Sequence, residues 1–213
     1  MTTLIVTAHP DPDSLTHHVA RHLHESLGEE ESAVAHLAQE GFDPRFTLED
    51  RQLYRGTGHP DSSITLEQQR IDAVTDLVLV FPVYWWSMPA LLKGWIDRVF
   101  IAGWAFDDMD GRIRPRLQHL TTHLLPISGT SEESFARHGY RTSFTTQIEH
   151  GIIGFCGMRQ GVTAFLHDSE TTDAEATQQA VLAATRRITD AISDSPQEQV
   201  GRLAQHGAGS HRG

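Results

Sequence analysis

Short apolar runs alternate with amphipathic stretches along this chain. Leu4 to Ala8, Ser32 to Leu37, Leu77 to Phe81, Leu120 to Ile127 and Gln160 to Leu166 read as strands. The run Leu77 to Phe81 is apolar at every position, as suits a parallel strand buried on both faces. Between the strands lie helices. The first runs from Leu15 to Leu27, with Ser14 as N-cap and Gly28 as its stop. Thr65 and Gln68 read as a capping box opening a helix to Val74. Pro89 suits the first turn of the next, whose apolar face is Leu91, Leu92, Trp95, Ile96, Val99 and Phe100. Thr146 to Cys156 reads as a helix with Ile148, Ile152, Ile153 and Phe155 turned inward, ended by Gly157. Thr172 and Glu175 open a final helix with the stripe Val181, Ala184, Ile188 and Ile192.

This alternation predicts an α/β fold, a doubly wound sheet of five parallel strands. Right-handed crossovers give it the order 2-1-3-4-5, strands numbered along the chain. The polar stretches 41–63 and 103–117 read as loops. Residues 1–193 form one domain, and 194–213 read as a polar, flexible tail.

The chain has 213 residues and a formal net charge of −11, which argues against binding nucleic acid or anionic membrane through charge. Its apolar runs are too short to insert in a membrane. The start MTTLIVTAH lacks the basic, then long apolar, pattern of a secretory leader. A single cysteine, Cys156, excludes an internal disulfide and fits a reducing cytoplasm.

Three stretches carry candidate chemistry, and each follows a strand. The loop HPDPDS, from His9 to Ser14, precedes a helix whose free amides and positive end favour a phosphate. It lacks the glycines of a GxGxxG or Walker loop, and on residue pattern alone Ser14 reads as a helix cap. Tyr84, Trp85 and Trp86 form an aromatic loop after Pro82. Ser128-Gly129-Thr130-Ser131 is a small-residue loop, which reads equally as a seat for a flat ring or as a plain turn. The predicted strand order puts the first two loops at the switch point between the first and third strands, where open α/β sheets bind ligands. A planar, phosphorylated cofactor would use all three.

Other patterns are weaker. His18 and His22 stand one helical turn apart, but no third ligand at metal spacing accompanies them. His17, His18, His22 and His24 therefore read as a solvated helix face and no metal is expected. Cys156 reads as inert core, and no GxSxG elbow is present.

The stretch FPVYWWSMPALLKGWIDRVF closely resembles the FP-x-x-W-[FW]-x-x-PA-x-LKGW-x-[DE]-R-V-F motif of flavodoxin-like NAD(P)H:quinone oxidoreductases. The resemblance extends back to LIVTAHPDPDSLT and, more weakly, forward to GIIGFCGM. It implies a flavodoxin-like fold and a bound flavin, FAD or alternatively FMN. Its phosphates would be contacted by His9, Ser14, Leu15 and Thr16. Backbone groups of Pro82, Val83, Tyr84, Trp85 and Trp86 would line the ring, and Ser128, Gly129 and Thr130 its pyrimidine end.

The resemblance further implies two-electron hydride transfer from NAD(P)H through flavin N5 to a quinone, in ping-pong order, by a homodimer. Trp104 and Phe106 match positions lining the substrate pocket, often from the partner subunit; Trp85, Trp86 and Trp104 also read as ordinary core aromatics. Where well-known members have Thr-Thr-Gly-Gly, this chain has Ile127-Ser128-Gly129-Thr130, and Phe135 replaces a catalytic Tyr. Tyr140 or His138 would take over that Tyr/His role. The loop 41–63 is shorter than in mammalian members, where it carries adenine contacts. Two other readings share these features: a regulatory flavoprotein subunit of a potassium-efflux-type transporter, and a flavodoxin-like electron carrier.

Overall fold

The computed structural model describes residues 2–109 and 111–207, the side chains of 195–207 aside. Five parallel strands form the central sheet: β1 (Thr3–Thr7), β2 (Ser32–His36), β3 (Asp76–Pro82), β6 (Thr121–Ile127) and β7 (Arg159–Thr163), in the order β2-β1-β3-β6-β7. Counting only these strands along the chain, that is the expected 2-1-3-4-5. Helices cover both faces: α1 (Leu15–Leu27) and α7 (Ala174–Gly207) on one side, α3 (Ser62–Asp72) and α4 (Ala90–Val99) on the other.

The pleat explains the all-apolar strand. Successive side chains of β3 point to opposite faces. Leu77, Leu79 and Phe81 enter the core with Trp95 and Leu92, while Val78 and Val80 enter the second core with Val19, Leu23 and the α7 stripe of Val181, Ala184, Ile188 and Ile192. Trp95 is fully buried, and its indole N–H donates to Glu67 Oε2 at 2.9 Å. Glu67 also holds Arg70, which reaches Glu40.

The structure corrects several expectations. The stretch 41–63 is not structureless: it contains α2 (Leu48–Tyr54), opened by a capping box of Thr47 and Asp50. Two devices fasten this segment to α4. Arg98 donates to Asp50 at 2.9 Å and to the Asp43 carbonyl at 2.8 Å. Gly94 lets the chain lie close, since a Cβ there would meet the Pro44 carbonyl oxygen at 2.2 Å. Gly94, Trp95 and Arg98 of the long motif thus have packing roles.

The α3 helix begins earlier than expected, capped by Asp61 through the Ser63 amide, so Thr65 and Gln68 are not its cap. Gln68 instead reaches the Val99 carbonyl and closes the end of α4. The stretch 103–117 holds an antiparallel pair, β4 (Phe106–Met109) and β5 (Arg112–Pro115). After α5 (Glu132–Arg137) comes α6 (Tyr140–Phe144), which continues as a π-helical segment, Thr145–Gly154. Phe155 lies on its outer side and is exposed, not inward. Asp173, rather than Thr172, caps α7 through the Ala176 amide. The backbone of α7 runs on to Gly207, through most of the stretch read as a tail; 208–213 lie outside the described residues. Among the described residues no helix is long and apolar enough to cross a membrane.

Candidate active site

The carboxyl ends of β1, β3 and β6 are neighbours in the sheet, so the three loops that follow them gather at one edge. The first loop folds on itself. The Asp11 amide donates to His9 Nδ1 at 3.1 Å, and the Asp13 amide to Asp11 Oδ1 at 2.9 Å. Ser14 caps α1 as expected, accepting from the His17 amide. That bond satisfies the third amide of the helix. The amides of Leu15 and Thr16, in the first turn, have no acceptor among the described residues. Two free amides at the positive end of a thirteen-residue helix form an anion seat.

The second loop is a tight turn. Tyr84 and Ser87 exchange both backbone hydrogen bonds at 3.1 Å. Between them Trp85 and Trp86 take left-handed φ values of 50° and 61°. Two successive positive φ values are those of a type I′ turn, which ordinarily uses Asn-Gly. Bulky residues there store strain. The Val83 and Tyr84 amides are engaged, with Ile127 and Ser87 respectively, and Pro82 has none. Only the Trp85 and Trp86 amides remain to donate to a ligand among the residues of this loop. Trp85 is 87% exposed, so it is no core residue.

Between Ser128 and Thr130 the third loop leaves one backbone donor. The Ser128 amide is taken by the Leu166 carbonyl, and the Thr130 amide by Ser128 Oγ at 3.0 Å. The Gly129 amide has no acceptor among the described residues. His167 donates through Nδ1 to the Thr130 carbonyl at 2.9 Å and so holds this loop from behind.

Tyr140 and His138 come to the same edge. The Tyr140 ring stacks on Trp86 with centroids 4.3 Å apart, and His138 stacks on Tyr140 at 5.4 Å. Phe135 meets the edge of Tyr140 at 5.7 Å. The Tyr140 hydroxyl makes no hydrogen bond among the described residues. Trp104 and Phe106 lie elsewhere. Trp104 follows the carboxyl end of α4 and donates to Asp72, at the end of α3, at 3.1 Å. Phe106 packs on Phe155 at 5.0 Å. Both are at the other end of α4 from the Trp85–Trp86 turn, some 15 Å of helix away. Within one chain they do not line the same pocket as Trp86.

Sequence reasoning missed His17 and His36. His17 is buried, not on a solvated face. Its Nδ1 lies 3.0 Å from Ser14 Oγ, and its ring lies 4.6 Å from that of His36. The available signal was the three-residue spacing from the cap Ser14, which turns residue 17 back toward the loop. Among the described residues, no group of three or more His, Cys, Asp or Glu is placed to hold a metal ion. Burial pushes the Cys156 thiol up to about 11, which leaves it protonated and unreactive at neutral pH.

Desolvation holds both His17 and His36 below the ordinary imidazole value, aided for His36 by its neighbour His17. Both are therefore neutral at pH 7. The unfolded chain protonates them near pH 6.5, above the folded values, so it binds more protons in the window below that pH. Their contribution to stability is present above pH 6.5 and is lost as the pH falls through the lowered folded values. Urea midpoints measured from pH 7.5 to 5.5 should fall, with a smaller slope in His36→Phe. An unchanged slope would show that the pair does not titrate as described.

Ser14→Ala should cost about 1 kcal/mol of stability as a lost cap. If the loop also seats a phosphate, the dissociation constant of a flavin nucleotide rises in the same variant. Unaltered affinity, measured by titration, would leave Ser14 with the capping role alone.

Comparison with known proteins bears on the fold and the family. A family model described as flavodoxin-like fold matches residues 1–189. A protein of Escherichia coli, the uncharacterized NAD(P)H oxidoreductase YcaK, is 29% identical over 88% of this chain and 96% of its own. The ribosyldihydronicotinamide dehydrogenase [quinone] of Mus musculus is 30% identical over 73% of this chain and 77% of its own. Among solved structures, the NAD(P)H:quinone oxidoreductase from Methanothermobacter marburgensis superposes with a TM-score of 0.78 at 23% identity, covering 87% of this chain and 96% of that one. An FMN-dependent NADH-azoreductase from Bacillus anthracis, in complex with FMN, gives a TM-score of 0.67 at 17% identity, covering 89% and 99%.

Proposed function

The chain belongs to the flavodoxin-like family of NAD(P)H:quinone oxidoreductases, and from that premise we propose that it is a flavin-dependent enzyme passing two electrons from NAD(P)H to a quinone. One observation carries the reading. The amide-bearing end of α1, the strained Trp85–Trp86 turn and the Gly129 loop converge at the carboxyl ends of β1, β3 and β6. Their free donors fit a flavin: two amides for a phosphate, and three more for the polar edge of a ring.

When bound, a flavin supplies a centre that accepts and returns hydride. The residues do the rest. Leu15 and Thr16, with the Ser14 hydroxyl nearby, hold the phosphate. The Trp85 and Trp86 amides orient the ring, and the indoles keep water from one side. Tyr140 and His138, both proton-bearing and stacked against Trp86, offer hydrogen bonds to the negative charge that collects on a reduced ring. In this reading the two supply that proton, with Phe135 packed on the edge of Tyr140. A cytoplasmic location suits a nicotinamide-dependent enzyme with a buried free thiol.

Trp104 and Phe106 belong to a second role. The exposed side chains Met109 and Ile113 continue the surface around Phe106, and such groups are enriched at interfaces. We assign this face to a twofold partner, whose copy of the 104–117 segment closes the pocket of the first chain. Nicotinamide and quinone then use one opening in turn.

The decisive test is the mass of any cofactor released by heating the purified protein, followed by initial rates with NADPH and a soluble quinone. Released FAD or FMN and parallel lines in double-reciprocal plots are expected. Converging lines, or full activity in a monomer by light scattering, would rule out the shared opening. Flavin without quinone turnover would favour the electron carrier.

A further inference from the structure

The geometry points to a second binding site, for a small hydroxy acid, in the cavity behind the Ser128–Thr130 loop, linked to that loop through His167. The site stands on its own residues. Its effect on flavin binding rests on the flavin reading above.

The cavity measures about 420 Å³ and lies between α5, the residues after β7, and α7. Arg141 of α6 and Arg187 of α7 both line it, and Glu132 is the one acid among its lining residues. On a chain of net charge −11 that is a local reversal of sign. Both guanidiniums have donors to spare. Arg187 makes no hydrogen bond or ion pair among the described residues. The one hydrogen-bond partner of Arg141 is Glu149 Oε1, at 3.5 Å, and that oxygen already accepts from Thr163 Oγ1 at 2.8 Å. A contact so long holds a guanidinium weakly. Two planar forks on one cavity suit a carboxylate. The walls beside them carry rings: Phe135, and Phe165, over which Arg141 lies at 4.8 Å. A charged head on an apolar body fits both.

His167 sets the second polar contact. Its Nδ1 carries the proton, because the Thr130 carbonyl can only accept. In the neutral ring Nε2 is therefore an acceptor, and it has no partner among the described residues. Phe165 stacks on the imidazole at 5.2 Å, with 6° between the planes, and Phe135 meets it edge-on at 5.1 Å. A ligand hydroxyl completes this ring's hydrogen bonding. A carboxylate for the arginines and a hydroxyl for the imidazole describe a small hydroxy acid.

The same imidazole is one of three ties on the loop. The Ser128 amide donates to the Leu166 carbonyl at 2.8 Å, and the Ser169 amide to the Ser128 carbonyl at 3.0 Å. Glu170 lies against Gly129, where a Cβ would meet its Cγ at 3.0 Å. The segment 166–170 thus clamps the loop that carries the free Gly129 amide. A ligand that holds His167 removes in advance part of the freedom that the loop loses when this amide binds. The two ligands then favour one another, and by the same factor in each direction.

The test is calorimetric titration of 4-hydroxybenzoate and of benzoate into the purified protein, for the wild type, Arg187→Gln and His167→Phe. The wild type should bind 4-hydroxybenzoate about fivefold more tightly than benzoate, the difference that one hydrogen bond makes. Arg187 is exposed, and its variant should bind both acids about tenfold more weakly. His167→Phe keeps a ring beside Phe165 and should erase the difference between the acids. In protein stripped of cofactor, saturating 4-hydroxybenzoate should lower the wild-type flavin dissociation constant about fivefold. His167→Phe should lose this response, and Arg187→Gln should need about tenfold more acid for it, which decides the matter even where His167→Phe is poorly folded. No binding of either acid would overturn the inference and leave the flavin reading intact. Equal affinity for the two acids in the wild type overturns it, as does binding that Arg187→Gln leaves unaltered, which would place the acid elsewhere. Binding without any change in flavin affinity breaks the link and overturns it too. A protein that takes up no flavin refutes the flavin reading, and the link with it.

Discussion

Trp95→Ala is expected to remove about 3–5 kcal/mol of folding stability, the range typical of truncating a buried aromatic. The upper part of that range is expected here. Trp95 is fully buried in the core beneath β3, and Phe100 packs on its edge at 5.5 Å. Its indole also gives Glu67 a hydrogen bond at 2.9 Å, and Glu67 is itself only 7% exposed. Alanine therefore opens a cavity and strips a donor from a buried carboxylate, which retains only Arg70. Urea unfolding followed by circular dichroism measures the loss. Flavin affinity per folded molecule should hardly change, because Trp95 lies under the sheet and not at its ligand edge. A loss below about 1 kcal/mol would mean that the core does not depend on this side chain.

The double variant Trp85→Asn/Trp86→Gly should show the reverse pattern. Asn-Gly is the favoured pair for a type I′ turn. Each L-residue held in the left-handed region costs roughly 1–2 kcal/mol, and both tryptophans are held there. Against that relief stands the loss of the Trp86–Tyr140 stack, about 0.5–1.5 kcal/mol. The folded state should therefore be about 0.5–3.5 kcal/mol more stable. Flavin binding should fall at least about tenfold, since the proposed site loses both indoles. Thermal melts and flavin titrations on the same preparation test the pair of outcomes. A destabilised variant that keeps its flavin affinity would show that the turn serves the fold and not the site. Strain kept at one turn, against the interest of stability, is what a functional site is expected to show.

Much of the site was legible before the structure, though not evenly. Ser14, the aromatic run 84–86 and the small-residue loop 128–130 announce themselves by type and by position after apolar runs. Their donors do not. That Val83, Tyr84, Ser128 and Thr130 spend their amides within the fold, and that Trp85, Trp86 and Gly129 do not, depends on loops that meet only in three dimensions. The stack of Trp86, Tyr140 and His138 joins residues over fifty positions apart. Trp104 and Phe106, named through the family resemblance, lie at the far end of α4, a placement that only the fold shows.

What the sequence by itself determined was every feature with a local cause. The apolar run of β3, the cap and stop of α1, and the stripe of α7 follow from side-chain periodicity and from hydrogen bonds a few residues long. Those patterns, with right-handed crossovers, were enough for the sheet order. Tertiary structure alone decided where long-range contacts outweigh local preference. The segment 41–63 gains its helix because Arg98 and the missing Cβ of Gly94 give it a surface to lie on. The Trp85–Trp86 turn takes a conformation that its residues disfavour because the Tyr84–Ser87 bonds and the stack on Tyr140 hold it there. His17 faces inward because His36, from the neighbouring strand, completes a wall that no helical period could reveal. Each of these choices is set by the free energy of contacts between distant segments, which the order of residues along one segment does not contain.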